Sequence, residues 1–79
     1  MGKPIPYNGH RSWNAWNVSL WIGNDEGLYN FAQDCLKRAK NNATKATTLF
    51  MKDCAGQRTP DGAIYTRLAV YEELKGMLE

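Results

Sequence analysis

SWNAWNVSLWIGNDEGLY, residues 12–29, decides how the rest of the chain folds. Three tryptophans fall between Trp13 and Trp21, and Asn24, Asp25, Glu26 and Gly27 follow at once. Ser12 is placed to cap a helix, because a serine hydroxyl at that position accepts a backbone N–H that the first turn leaves unpaired. On a wheel of 100° per residue, Trp13, Trp16 and Leu20 share one side, and Val18, Trp21 and Ile22 extend the apolar surface around another. Asn14 and Asn17 alone interrupt it, with Ser19 opposite. A short helix this apolar nearly all round is normally buried in the middle of a bundle. Trp16, Leu20 and Trp21 are therefore expected in the core. Trp13, in the first turn beside Arg11, is the surface candidate.

The helix is expected to run to about Ile22, with Gly23 as its stop. Asn24 can cap a second helix over about Asp25 to Lys40, whose acidic first turn and Lys37, Arg38 and Lys40 near its end both agree with the helix dipole. Its apolar positions Leu28, Phe31, Ala32, Cys35, Leu36 and Ala39 recur by threes and fours. Asn41 and Asn42 break the pattern. A third helix over about Ala43 to Ala55 places Ala43, Ala46, Thr47, Phe50, Met51 and Cys54 on one face, and Gly56 ends it.

Thr59, Pro60, Asp61 and Gly62 suit a tight turn inside a loop. Thr66 then caps a last helix with Leu68, Val70, Tyr71, Leu74, Met77 and Leu78 on its apolar side. The stretch from Ala63 to Tyr71 also fits a strand, but the helical spacing accounts for more of it. Upstream, Pro4, Pro6 and the Asn8-Gly9 pair read as an extended arm ending in a turn. The expected architecture is all-α: a compact bundle of about four short helices in a single domain over residues 12–79, preceded by an extended arm over residues 1–11.

Composition narrows the function by exclusion. A chain of 79 residues buries only about 60% of the surface its unfolded form exposes, so every large apolar side chain matters. A net charge of +2 is too mild to commit the chain to nucleic acid, and it argues against a DNA mimic. No apolar run reaches the ~18 residues a membrane helix needs. The first residues lack the apolar centre of a secretory signal, so a cytoplasmic location is expected. Cys35 and Cys54 are expected to stay reduced as small apolar groups, with a disulfide between them as the alternative.

Catalysis finds little support in the residues. His10 is the one histidine and lies in the arm, while Asp25-Glu26 and Glu72-Glu73 are adjacent pairs whose side chains diverge by about 100° on a helix. No nucleophile elbow, phosphate loop or metal-ligand pair occurs. The expectation is a protein that is not an enzyme and uses no cofactor or metal. Its candidate partner-binding residues are a cationic group, Lys37, Arg38, Lys40, Lys45 and Lys52, together with Arg11, Trp13 and Tyr29. That cationic group also reads as a solvated face that keeps the protein soluble.

The chain resembles a family of small proteins from phages and other mobile elements. The resemblance rests on Tyr7, Asn8 and Gly9, then on Trp16, Val18, Leu20, Trp21, Ile22, Asn24, Asp25, Glu26, Gly27, Leu28 and Tyr29. Thr59 to Gly62 and Tyr71 to Leu74 continue it. Within that group the chain looks like an anti-CRISPR protein, nearest to inhibitors of type I, particularly type I-C, systems. The resemblance implies action in a bacterial host cell through binding to a subunit of the CRISPR effector complex. It assigns no binding residue. A small nucleic-acid-binding or host-takeover protein is the alternative, and self-association through Val70, Tyr71 and Met77 is a third reading.

Overall fold

Ser12 begins the first helix as expected: its hydroxyl accepts the Ala15 N–H at 3.1 Å. The structure, a computed structural model, describes residues 12–79. The arm expected over residues 1–11, with Arg11 and His10, lies outside the described residues. Four helices follow in order: α1 over Trp13–Asn24, α2 over Glu26–Arg38, α3 over Ala43–Cys54 and α4 over Arg67–Met77. The class is all-α, as the spacing predicts. Each helix packs against two others, α1 and α3 both lying between α2 and α4.

The boundary between α1 and α2 falls later than expected. Gly23 and Asn24 are helical, and Asp25 serves both helices at once. Its backbone N–H donates to the Trp21 carbonyl at 2.9 Å, closing α1. Its side chain accepts the Leu28 N–H at 3.0 Å, opening α2. One extended residue can therefore do what Gly23 and Asn24 were expected to share. At the end of α2, Lys40 and Asn41 take left-handed backbone angles, φ 55° and 63°. This lets the Asn41 N–H reach the Leu36 carbonyl at 2.8 Å and the Lys40 N–H reach Lys37 at 3.1 Å, the paired bonds of a Schellman ending. Asn42 then caps α3 through Lys45 N–H, and Thr66 caps α4 through Ala69 N–H.

The hydrophobic centre is not built from tryptophan. From α1 the buried apolar side chains are Ala15, Val18 and Ile22, whereas Trp13 and Leu20 are exposed and Trp16 and Trp21 half-buried. The expectation that Trp16, Leu20 and Trp21 pack in the core is thus corrected. Small and β-branched side chains fill the buried stripe of α1, and the large indoles lie at its flanks. The aromatic core is instead Phe50 on α3, with Phe31 at 5.0 Å and Tyr65 at 6.3 Å between ring centroids. Cys35, Ala46, Val70 and Leu74 complete it, all inaccessible to solvent. The last helix is also turned from its expected face: Ala69, Val70 and Leu74 are buried, while Leu68 and Leu78 are exposed.

Residues 57–65 are more ordered than a loop. The Gly62 N–H donates to Thr59 O at 2.9 Å, closing the Pro60-Asp61 turn, and Gly62 sits at φ 96°, where glycine is favoured. Arg58 and Ile64 form an antiparallel bridge, and the Thr59 N–H donates to Ala63 O at 2.8 Å. The result is a miniature hairpin between α3 and α4.

Candidate functional site

The two asparagines that interrupt the apolar surface of α1 are the clamp for this hairpin. Asn14, Asn17 and Trp21 lie at i, i+3 and i+7, one stripe of the helix. The Asn14 amide donates to Ile64 O at 2.8 Å and accepts the Ile64 N–H at 2.7 Å. Asn17 is buried, accepts the Thr59 hydroxyl at 2.6 Å and donates to Asp61 Oδ2 at 2.9 Å. The Trp21 indole N–H donates to the same oxygen at 2.9 Å. Thr59 also accepts the Ala63 N–H at 3.0 Å. The hydrogen bonds from Asn17 and Trp21 hold the Asp61 carboxyl below its usual range, because they favour its charged form. On the other flank of α1, the Ser19 hydroxyl donates to Glu73 Oε1 of α4. These residues are absent from the sequence-based candidates. The available signal was two amides on a helix too apolar to leave them in water, paired with a distant Thr-Pro-Asp-Gly turn.

The predicted cationic group does not form one patch. Lys37 lines an open groove of about 730 Å³ with Tyr29, Asn30, Gln33, Asn41 and Met77. There the Tyr29 hydroxyl accepts the Gln33 amide at 3.0 Å. Arg38 lines a second groove, of about 340 Å³, with Ala39, Thr44, Lys45, Thr48 and Leu49. Its guanidinium meets Asp34 at 3.2 Å, both side chains being more than half exposed. Such an exposed i, i+4 pair contributes a few tenths of a kcal/mol, about 0.3–0.5. Lys52 stands two turns beyond Lys45 on the same stripe of α3, next to Asp53. Lys40 belongs to the Schellman turn. Trp13 and Tyr29, each 39% exposed, are not brought together: α1 rises about 16 Å between Trp13 and the turn before Tyr29.

One cation missing from the sequence-based set borders the smaller groove through two of its lining residues, Thr44 and Thr48. Arg67, at the start of α4, donates to the Thr48 hydroxyl at 2.8 Å and to the Thr44 carbonyl at 3.3 Å. Arg38, Lys45 and Arg67 thus surround the outer edge of α3 from three helices. Spacing along one helix could not reveal this, because Arg67 is distant in sequence from the other two.

Cys35 and Cys54 are free and buried on α2 and α3. Burial pushes the Cys35 thiol up; Arg38 opposes this and Asp34 and Asp53 reinforce it. Cys54 is pushed up by burial, then by Asp53. Both are inert apolar fillers at neutral pH. Among the described residues no three His, Cys, Asp or Glu side chains are grouped to hold a metal ion. No described helix is long and apolar enough to cross a membrane. The expected self-association face is corrected: Val70 is fully buried and Tyr71 and Met77 half-buried, while the exposed large apolar groups on and just before α4 are Ile64, Leu68 and Leu78.

No curated protein and no solved structure matches this chain significantly. A family model does, over residues 5–79, which takes in all four helices, the Asn14–Asn17–Trp21 clamp and the groove around Thr44. The chain therefore belongs to DUF7249, a family of unknown function.

Proposed function

We propose that this protein is a stoichiometric inhibitor from a phage or mobile element, which docks on a type I CRISPR surveillance complex and blocks DNA recognition or nuclease recruitment. The observation that carries the reading is the run from Tyr7 to Tyr29, which resembles small proteins of phages and other mobile elements. The structure lends physical support. The bundle is stapled by its caps and by the hairpin clamp, so little ordering is left to oppose binding. Exposed Trp13 and Tyr29 are residue types that anchor interfaces, and Arg38 and Lys45 offer charge. A standard interface takes about 800 Å² from each partner, which a face of a four-helix bundle can supply.

The test is a plasmid-interference assay in cells carrying a type I-C system. Expression of the protein should restore transformation by a targeted plasmid. Unchanged immunity across type I subtypes overturns the reading.

A nucleic-acid-binding role is the second reading, favoured by the convergence of Arg38 and Lys45 on one groove. Retardation of DNA or RNA that weakens steeply with salt would support it.

A further inference from the structure

We propose that the outer edge of α3 docks an acidic protein segment that carries an apolar side chain among its carboxylates. Arg38, Lys45 and Arg67 form the cationic rim, and Ala39 and Leu49 the floor between them. The proposal deepens the docking reading above, since it names the face and the chemistry of its partner, and it rests on that reading for the partner's being a protein.

Three helices build the face. Arg38 comes from the last turn of α2, Lys45 and Leu49 from adjacent turns of α3, and Arg67 from the first turn of α4. Arg67 is held over the Thr44–Thr48 edge by its bonds at 2.8 and 3.3 Å. Ala39 is buried and Leu49 half-buried, so the groove has an apolar base with a charged margin. The acids Asp25, Asp61 and Glu73 are engaged on α1 and its neighbours, away from this rim. Asp34 balances Arg38 within the rim, and Lys45 with Arg67 supplies the positive charge that can steer an anionic partner.

The same details choose protein over nucleic acid. A phosphate backbone has no group to cover Leu49, whereas an acidic helix with an apolar residue does. Asp34 lies against Arg38 and Asp53 follows Lys52. These carboxylates interrupt the cationic row that a continuous phosphate backbone would follow, whereas a few separate cations suit a segment with spaced carboxylates. No described aromatic lines the groove to stack a base.

The experiment is a titration of the isotope-labelled full chain, read by amide chemical shifts. The probes are an acidic helical peptide bearing one leucine per turn, the same peptide with alanine for leucine, and a DNA duplex. The leucine peptide should move the amides of Thr44, Lys45, Thr48, Leu49 and Arg67. Its alanine counterpart should bind about tenfold more weakly. The variant Lys45→Glu/Arg67→Glu should abolish the shifts, and Lys75→Glu should leave them unchanged. Lys45→Glu alone, at an exposed position, keeps the test valid should the double variant disturb α3–α4 packing.

Tighter binding of the duplex at this face, shifts mapped to another face, or no response to the acidic peptide overturns the proposal. In the interference assay, a wild-type protein without effect sinks the CRISPR reading alone. Full inhibition by the folded double variant sinks this docking face alone.

Discussion

Asn17 shows how much one side chain decides in this molecule. It is 2% exposed, and both ends of its amide are used, one by the Thr59 hydroxyl and one by Asp61. A leucine there would suit the apolar character of α1 and still be wrong. Asn17→Leu removes the acceptor of the buried Thr59 hydroxyl and one of the two donors to Asp61 Oδ2, and should lower stability by about 1–3 kcal/mol in urea unfolding. Asp61 makes a prediction about acid. Its carboxyl is held low in the folded state, so its contribution is complete above the ordinary carboxylate pKa of ~4 and fades as pH falls through the lower folded value. The urea midpoint of the wild type should decline in that window. Asp61→Asn should be less stable at neutral pH and should show a shallower decline. Trp21, bonded to the same oxygen, supplies the fluorescence that reports it.

At the scale of elements, the caps carry most of what could be read in advance. Ser12 and Thr66, both expected as caps, each accept a backbone N–H three residues on, and both signals are local; Asn42, expected only as a break, caps α3 in the same way. Asp25 could not be told from Asn24, because either residue can cap and only the packing of α1 against α2 selects the sharper corner. The facing of α1 was illegible for a different reason. An apolar arc that runs nearly all round gives no direction, and the groups that orient it, Ile64, Thr59 and Asp61, lie 40 to 50 residues away. The cationic site was half legible: the charges on α2 and α3 could be counted, but not which groove each would enter. The end of α2 yields a prediction. Lys40 occupies a left-handed position that costs a residue with a Cβ about 1–2 kcal/mol. Lys40→Gly should therefore raise the thermal midpoint, by a net gain of about 0.5–1 kcal/mol once the greater freedom of unfolded glycine is counted.

The whole molecule has one core and little margin. A domain of this length is stable by about 4–12 kcal/mol in total. Phe50 joins α2 and the hairpin through its contacts with Phe31 and Tyr65. Phe50→Ala should remove about 3–5 kcal/mol, enough to leave a large unfolded fraction at 37 °C, visible as lost helical ellipticity and a broad thermal transition. The equivalent truncation of exposed Leu68 should change little. The hairpin clamp sets the order of events when the chain is made. Asn14 and Asn17 are synthesised early, yet their partners are Thr59, Asp61 and Ile64. The first helix can wind as it leaves the ribosome, but it cannot be locked until residues 59–64 have emerged. Native structure is therefore acquired late and all together, and a nascent chain stalled before Thr59 should remain open to proteolysis.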